Sequence, residues 1–524
     1  MKFHSAAYPL SHMFHMMLVQ ALAAAAVATS PPPFIVQPYL QLGDAPTAGE
    51  TVTMALLWHS DTTSADWEVD LKPAGATAWK PQRTFYPSRI DVPGLEPYDV
   101  FHGTLGDLAP GSTFQYRVKR NGAVVFTSSG LSRKTASEPY RVVVFGDCGQ
   151  NTPGQRAVAY RAYLEHPDFV AIPGDIVYGS GRMSEYRTKF FPIYNADSAS
   201  PANGAPLTRS IPFVAAIGNH DASYARNVND SMADYGGFFA FWSMPLNGPT
   251  TKPGHNAPLM ATDSTVAAVL ARSYGHNYPR MANYSFDYGN THWTVLDADP
   301  YMDWTDPVLR NWVAQDLAHA AGATWRFVMF HQPGFNSSRE HFTEQQMRLM
   351  SDVFEAGNVD LVLMGHVHNY QRSYPMTFLP KLAGDPKTGI DGTLHAPDWY
   401  RTNGRLPFTI DGDYRFDHEF DGVKRTVPKG VIYIVTGGGG AELYNPEQTG
   451  DRGSWQAFTY AFEATQHSLS AIDVKGRTIT FRQVGADGSL IDHFTITKPV
   501  PTIAAKPGKT LAVRSGGRSP AGSP

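Results

Sequence analysis

Two histidines one residue apart, His366 and His368, follow the apolar run Val359 to Met364 in VDLVLMGHVHNYQR. An i, i+2 pair just past an apolar strand can turn two imidazoles toward one point, and imidazole is the commonest metal ligand. A pair needs further ligands, and the chain offers them in the same setting. The apolar runs YRVVVF, DFVAIP, IPFVAAI and WRFVMF lead into Asp147 of GDCG, Asp175 and Tyr178 of GDIVY, Asn219, His220 and Asp221 of GNHD, and His331 of HQP. Taken singly, a Gly-Asp after a strand is more often a turn or a helix cap than a ligand. Five such ends in one region are hard to explain as turns. In open α/β sheets the ligand site lies beyond the carboxyl ends of the strands, so residues as distant in sequence as Asp147 and His368 can converge.

Asp147, Asp175, Tyr178, Asn219, His331, His366 and His368 exceed what one four- to six-coordinate ion needs, and a carboxylate can bridge two ions. A metal pair is implied. Oxygen donors with imidazoles suit Fe, Mn or Zn, and a phenolate favours a hard, highly charged ion such as ferric iron. Two metals about 3.5–4 Å apart clamp a phosphate ester and activate a water, so phosphoester hydrolysis is the expected chemistry.

These residues need a frame. From Tyr140 onward, strand-like runs alternate with helical patterns over residues 154–166, 306–320 and 343–357, which predicts an α/β domain spanning 140–497. Ahead of it, residues 34–137 carry short alternating runs broken by Pro, Gly and Asp, the pattern of a small antiparallel sandwich with a scaffold or interface role. Residues 498–524, rich in Pro, Gly, Ala and Ser, are expected to be disordered. At the N-terminus Lys2 precedes MMLVQALAAAAVA, and Ala26-Val27-Ala28 fits an A-x-A cleavage site. Residues 1–28 therefore read as a signal peptide, with a secreted or periplasmic product. No later segment reaches the roughly 18 uninterrupted apolar residues of a membrane span.

Composition narrows the partners. The 524 residues are 42% hydrophobic and 17% charged, with 43 Lys and Arg against 47 Asp and Glu. The net charge of −4, without a basic run, argues against nucleic acid. The one cysteine, Cys148, excludes an intramolecular disulfide framework and a Cys-rich zinc site. Beside Asp147 it reads as a small buried residue.

GDCG, GDIVY, GNHD, the His331 segment and GHVHNYQR stand in the order and approximate spacing of the calcineurin-like metallophosphoesterases. The Tyr of GDIVY makes the chain resemble the purple acid phosphatases in particular. The resemblance covers residues 140–497, and the β domain resembles the fibronectin-like N-terminal domain of the family's larger members. It implies two mixed β-sheets sandwiched between helices, with Asp147, Tyr178 and His368 holding Fe(III). Asn219, His331 and His366 are then expected to hold a divalent Fe, Zn or Mn, with Asp175 bridging. His220 and His341 are expected outside the metal shell, binding phosphate and protonating the departing alkoxide.

The implied activity is hydrolysis of a small phosphate monoester by a metal-bound hydroxide. A phosphodiesterase or nucleotide pyrophosphatase is the alternative on the same frame, and a non-catalytic secreted binding protein is the rival from another class. Plant members of the family carry Glu in place of Asp221, a change expected to alter how His220 is supported, and Asn369 and Gln371 also vary there. Residues 249–280 and 379–429, the latter with Trp399, Tyr400, Arg401 and Arg405, are candidates for a substrate rim.

Overall fold

The computed structural model describes residues 32–82, 85–222, 234–249, 256–257, 264–381 and 409–500. The residues read as a signal peptide, 1–28, together with Trp399, Tyr400, Arg401, Arg405 and the tail after residue 500, lie outside the described residues.

Two large sheets face each other. The ten-stranded sheet runs, in spatial order, Leu490–Thr497, Thr478–Gly485, Ser468–Lys475, Tyr140–Val144, Phe169–Pro173, Phe213–Ala216, Val36–Gln41, Val52–Asp61, Tyr98–Leu108 and Phe85–Ile90. The seven-stranded sheet runs Tyr284–Tyr288, Thr291–Val295, Trp325–Met329, Leu361–Met364, Ile432–Thr436, Tyr370–Ser373 and Thr459–Glu463. Each has a parallel heart and antiparallel flanks: Tyr140–Val144, Phe169–Pro173 and Phe213–Ala216 pair in parallel in the first. In the second the parallel run is Thr291–Val295, Trp325–Met329, Leu361–Met364 and Ile432–Thr436. This is the mixed α/β metallophosphoesterase architecture expected from the sequence.

The two-residue period of a strand explains the layering. In the strand Trp325–Met329, Phe327 and Met329 enter the core between the sheets with Val142 and Ile172, while Val328 faces the other way. There it meets Leu309, Val313 and Leu317, spaced four apart on the helix Pro307–His319. That helix starts where Asp306 accepts a hydrogen bond from the Val308 amide and Pro307 takes the first turn, where its missing N–H costs nothing. The helix Pro153–Leu164 begins likewise, with Thr152 as cap, and buries Val158, Ala159 and Ala162.

One predicted helix starts late. Residues 343–357 give a 3₁₀ turn, Gln346–Met350, and then the short helix Ser351–Ala356. Ahead of them the Glu344 amide closes a turn on the His341 carbonyl, and Gln345 spends its side chain on the Phe342 carbonyl and the Ile410 amide. Side-chain bonds of this kind compete with helix hydrogen bonding.

The N-terminal strands form a sandwich, with the four-stranded sheet Lys80–Gln82, Trp67–Pro73, Thr113–Arg120 and Ala123–Leu131 on one side. Its core holds Leu56, Trp58, Leu71, Phe101 and Tyr116. The alternate residues Ala55 and Leu57 of the same strand enter the main core instead. The sandwich is thus joined to the α/β region through one sheet, where Val36–Gln41 pairs in parallel with Phe213–Ala216 at Gln41 and Phe213. The buried Arg133 guanidinium fastens the junction by donating to the carbonyls of Ala45, Pro46 and Asp287.

Candidate metal centre

All five motifs leave their strands at the same end of the two sheets. Asp147 follows Tyr140–Val144, Asp175 and Tyr178 follow Phe169–Pro173, and Asn219 and His220 follow Phe213–Ala216. From the facing sheet come His331 after Trp325–Met329, and His366 and His368 after Leu361–Met364. The backbone turns sharply to aim these groups inward. Asp147, Asp175 and His366 adopt φ of 58°, 49° and 69°, a left-handed conformation unusual for residues with a Cβ and found where surrounding structure enforces it.

Gly218 and Gly365 permit the close approach. A Cβ on Gly218 falls 2.3 Å from the Asp175 amide nitrogen, and one on Gly365 falls 2.6 Å from the Pro173 carbonyl oxygen. Their absence of a side chain is what lets these loops interleave.

Two clusters of donors result. In one, the Tyr178 hydroxyl lies 3.1 Å from Asp147 Oδ1 and 2.9 Å from His368 Nε2, with His368 Nε2 3.5 Å from Asp147 Oδ1. In the other, His331 Nε2 lies 3.2 Å from Asp175 Oδ1 and 3.1 Å from Asn219 Oδ1. His331 Nε2 is also 3.9 Å from Asp147 Oδ1, so the clusters adjoin. His366 stands next to them: its amide donates to both Asp147 oxygens and its ring centroid is 4.9 Å from that of His331.

His220 and His341 flank the clusters. His220 donates its amide to Asp175 Oδ1 at 2.9 Å, places Nδ1 2.9 Å from the Gly179 carbonyl, and packs on Tyr178 with centroids 4.5 Å apart. His341 packs on His366 at 3.9 Å. Both are partly exposed, whereas Asp147 and His331 are fully buried.

The electrostatics ask for positive charge. Asp147 and Asp175 are 0% and 1% exposed, and among the described residues their ion-pair partners are imidazoles. Burial alone would lower the His331 pKa, yet the Asp175 and Asp147 carboxylates outweigh it and push the imidazole up to about 10. A proton there occupies a field suited to a cation. Burial, reinforced by Asp147 and Asp175, drives the Tyr178 phenol well above its ordinary value, so it ionises only toward a strong positive charge. Burial and the nearby His341 charge lower His366 to about 4 against the pull of Glu344, keeping it neutral as a ligand must be. Oxygen and nitrogen donors so arranged fit hard or borderline metal ions.

The sequence reading missed three contributors. Glu344 accepts from His341 Nδ1 at 2.8 Å and His366 Nε2 at 2.9 Å. Burial opposes its ionisation, but the two histidines hold its carboxyl well below the usual range. A sixth strand, Ile432–Thr436, ends in the run Gly437 to Gly440, whose continuation supplies the Glu442 carbonyl that accepts from His368 Nδ1 at 2.6 Å. Tyr444 then stacks on His368 with centroids 4.0 Å apart. An apolar VIYIVT running into four glycines was the available signal, the same strand-end pattern with no titratable group at its tip.

Asp221 has partners of its own in the two loops. Its carboxylate accepts from the Ile176 amide at 3.2 Å and the Gly218 amide at 3.0 Å, tying the GDIVY loop to the GNHD loop. The His220 ring has Gly179 and Tyr178 among its neighbours. Cys148 is fully buried, as expected.

Comparison with known proteins agrees with this geometry. Residues 140–370 match the calcineurin-like phosphoesterase family. Purple acid phosphatase 23 of Arabidopsis thaliana is 25% identical over 324 residues, 56% of this chain and 62% of that protein. Probable inactive purple acid phosphatase 1 of the same plant is 24% identical over 473 residues, 84% of this chain and 64% of its own length. Among solved structures, purple acid phosphatase PPD1 from yellow lupin (Lupinus luteus) superposes with a TM-score of 0.59 at 17% identity, covering 89% of this chain and 77% of that one. The chain thus spans less than two thirds of the length of the first two relatives.

The fold, the site geometry and the match over residues 140–370 therefore make the chain similar to the calcineurin-like phosphoesterases. The relatives it matches include purple acid phosphatases, and the lupin enzyme shares its fold.

Proposed function

We propose that the protein is a secreted acid phosphatase that hydrolyses small phosphate monoesters at a dinuclear metal centre. The observation that carries this reading is the pair of fully buried carboxylates, Asp147 and Asp175, facing imidazoles and a phenol across adjoining clusters. In this reading Asp147, Tyr178 and His368 would hold ferric iron, Asn219, His331 and His366 would hold a divalent Fe, Zn or Mn, and Asp175 would serve both. Bound metals supply charge neutralisation at phosphorus and a water acidic enough to be a nucleophile.

The chain's own groups do the rest. Tyr178 fills the site toward His220 and His368, and its phenol oxygen is positioned between Asp147 and His368. His220 and His341, partly exposed at the edge of the clusters, bind the ester's phosphoryl oxygens and deliver a proton to the departing alkoxide. Nδ1 of His220 lies against the Gly179 carbonyl and Nδ1 of His341 against Glu344, while His220 Nε2 lies 3.9 Å from Asp175 Oδ2.

A second reading has a specific observation behind it: the similarity that covers 84% of this chain is to a relative named probable inactive. One experiment decides between them. Elemental analysis of the purified protein, with turnover of a monoester, a diester and ATP, is expected to give about two metal ions, one of them iron, and preference for the monoester. A metal-replete protein inert toward all three esters supports the non-catalytic reading, and diester or ATP preference supports the diesterase or pyrophosphatase.

A further inference from the structure

Glu344 joins two histidines to which the proposed reaction gives different duties. Its Oε1 is 2.8 Å from His341 Nδ1, and its Oε2 is 2.9 Å from His366 Nε2. A carboxylate can only accept, so both imidazoles must donate to it, and each tautomer is thereby fixed. His366 keeps its proton on Nε2 and presents the Nδ1 lone pair. His341 keeps a proton on Nδ1 and turns Nε2 away from the carboxylate.

Local structure holds the arrangement. His341 takes φ of 58°, and the Glu344 amide bonds the His341 carbonyl at 3.1 Å, so one turn sets both side chains together. His366 is anchored separately by its amide on Asp147, and its ring lies 3.9 Å from that of His341, centroid to centroid. Without an acceptor between them, two rings this close have nothing to fix which nitrogen carries the proton. Metal-ligating histidines are commonly oriented by a carboxylate on the second ring nitrogen.

We propose that Glu344 is a positioning residue serving both halves of the site, fixing His366 as a metal ligand through one oxygen and His341 as the substrate-facing imidazole through the other. The proposal rests on the metal and proton-donor roles assigned above. It predicts coupling between metal retention and leaving-group protonation through a single side chain that touches neither metal nor substrate.

The test uses the full chain and the variants Glu344→Gln, His341→Ala and the two combined. A glutamine amide has one acceptor and one NH₂ group, so it cannot accept from both rings. Metal content is measured by elemental analysis before and after dialysis against a graded chelator, and kcat and KM are measured on p-nitrophenyl phosphate. Glu344→Gln is expected to weaken retention of one of the two ions about 10- to 100-fold and to lower kcat more than it raises KM. His341→Ala is expected to lower kcat with both ions kept, and adding Glu344→Gln to it is expected to weaken the same ion again. In the double variant the loss of kcat should be smaller than the product of the single losses, because both remove the His341 function.

Retention of both ions at wild-type strength in Glu344→Gln overturns the proposal. So does loss of both ions together with a fall in Tm, the mark of a merely structural side chain. His341, Glu344 and His366 also lie close enough to hold an ion among themselves. A third equivalent of metal in the wild type that vanishes in Glu344→Gln would make Glu344 a ligand and refute the positioning role. If the wild type holds fewer than two ions or hydrolyses no ester, the fault lies in the underlying metal or activity reading, and the proposal falls with it.

Discussion

Asp221 offers a test of how the two central loops hold each other. Its side chain is 1% exposed and accepts from the amides of Ile176 and Gly218, the residues adjoining Asp175 and Asn219. Replacement by Ala leaves two buried N–H groups without an acceptor, at a cost of about 1–3 kcal/mol each, or on the order of 2–6 kcal/mol together. Asn keeps one acceptor but points an NH₂ at the other amide, which costs about 1–3 kcal/mol. Glu adds a methylene to an enclosed space where overpacking costs about 1–3 kcal/mol.

The expected order of destabilisation is therefore Ala above Asn and Glu, read as the drop in Tm of the purified protein. Because the freed amides flank two proposed ligands, metal content should fall in the same order, and turnover should follow metal content. Two outcomes would refute the argument. An Asp221→Ala variant with unchanged Tm and metal shows that the loops do not depend on this side chain. An inactive variant with intact Tm and metal shows that Asp221 acts on His220 after all.

Tyr178→Phe removes the oxygen 3.1 Å from Asp147 and 2.9 Å from His368 while keeping the ring, so any visible charge-transfer band of the iron-loaded protein should vanish; an unchanged absorption spectrum rules out phenolate ligation. His220→Ala should lower kcat about a hundredfold or more with metal content retained, and loss of a metal would place His220 in the ligand set instead. His292, between Asp287 at 2.7 Å and Asp316 at 3.0 Å, gives a pH prediction away from the centre. Burial works to lower its pKa, but the hydrogen bonds and charges of the two carboxylates push it up to about 9. A folded pKa above the unfolded value of about 6.5 means stability present below pH ~6.5 and lost as pH rises through ~9, on the order of 3 kcal/mol. Tm measured across pH 6–10 should show this loss in the wild type and not in His292→Gln; an identical pH dependence in both would contradict it.

How much of this was legible from sequence differs by residue, for a physical reason. Asp147, Asp175, Asn219, His331 and His366 were legible because a parallel strand dictates where its carboxyl end points, and the apolar run before each residue marks the strand. Glu344 was not legible. Nothing in HFTEQQM distinguishes a turn from the first turn of a helix, and only the turn places its carboxylate against both His341 and His366. The segment after Ile432–Thr436 was hidden differently: its glycines contribute space and Glu442 contributes its backbone carbonyl, and backbone acceptors leave no mark in composition.

The junction between sandwich and α/β region shows the same limit on a larger scale. Alternation along Val52–Asp61 announces a strand with two apolar faces, because Met54, Leu56 and Trp58 alternate with Ala55 and Leu57. Two apolar faces mean two cores, yet sequence does not say whose. The structure assigns the second face to the core of the α/β region, and the parallel contact of Gln41 with Phe213 then makes the strand that leads to Asn219 and His220 an interior strand. An edge strand at that place would leave the Phe213–Ala216 backbone open on one side and its GNHD loop less constrained. The sandwich therefore bears on the chemistry through sheet continuity, by fixing the strand from which one proposed ligand and one proposed proton donor project.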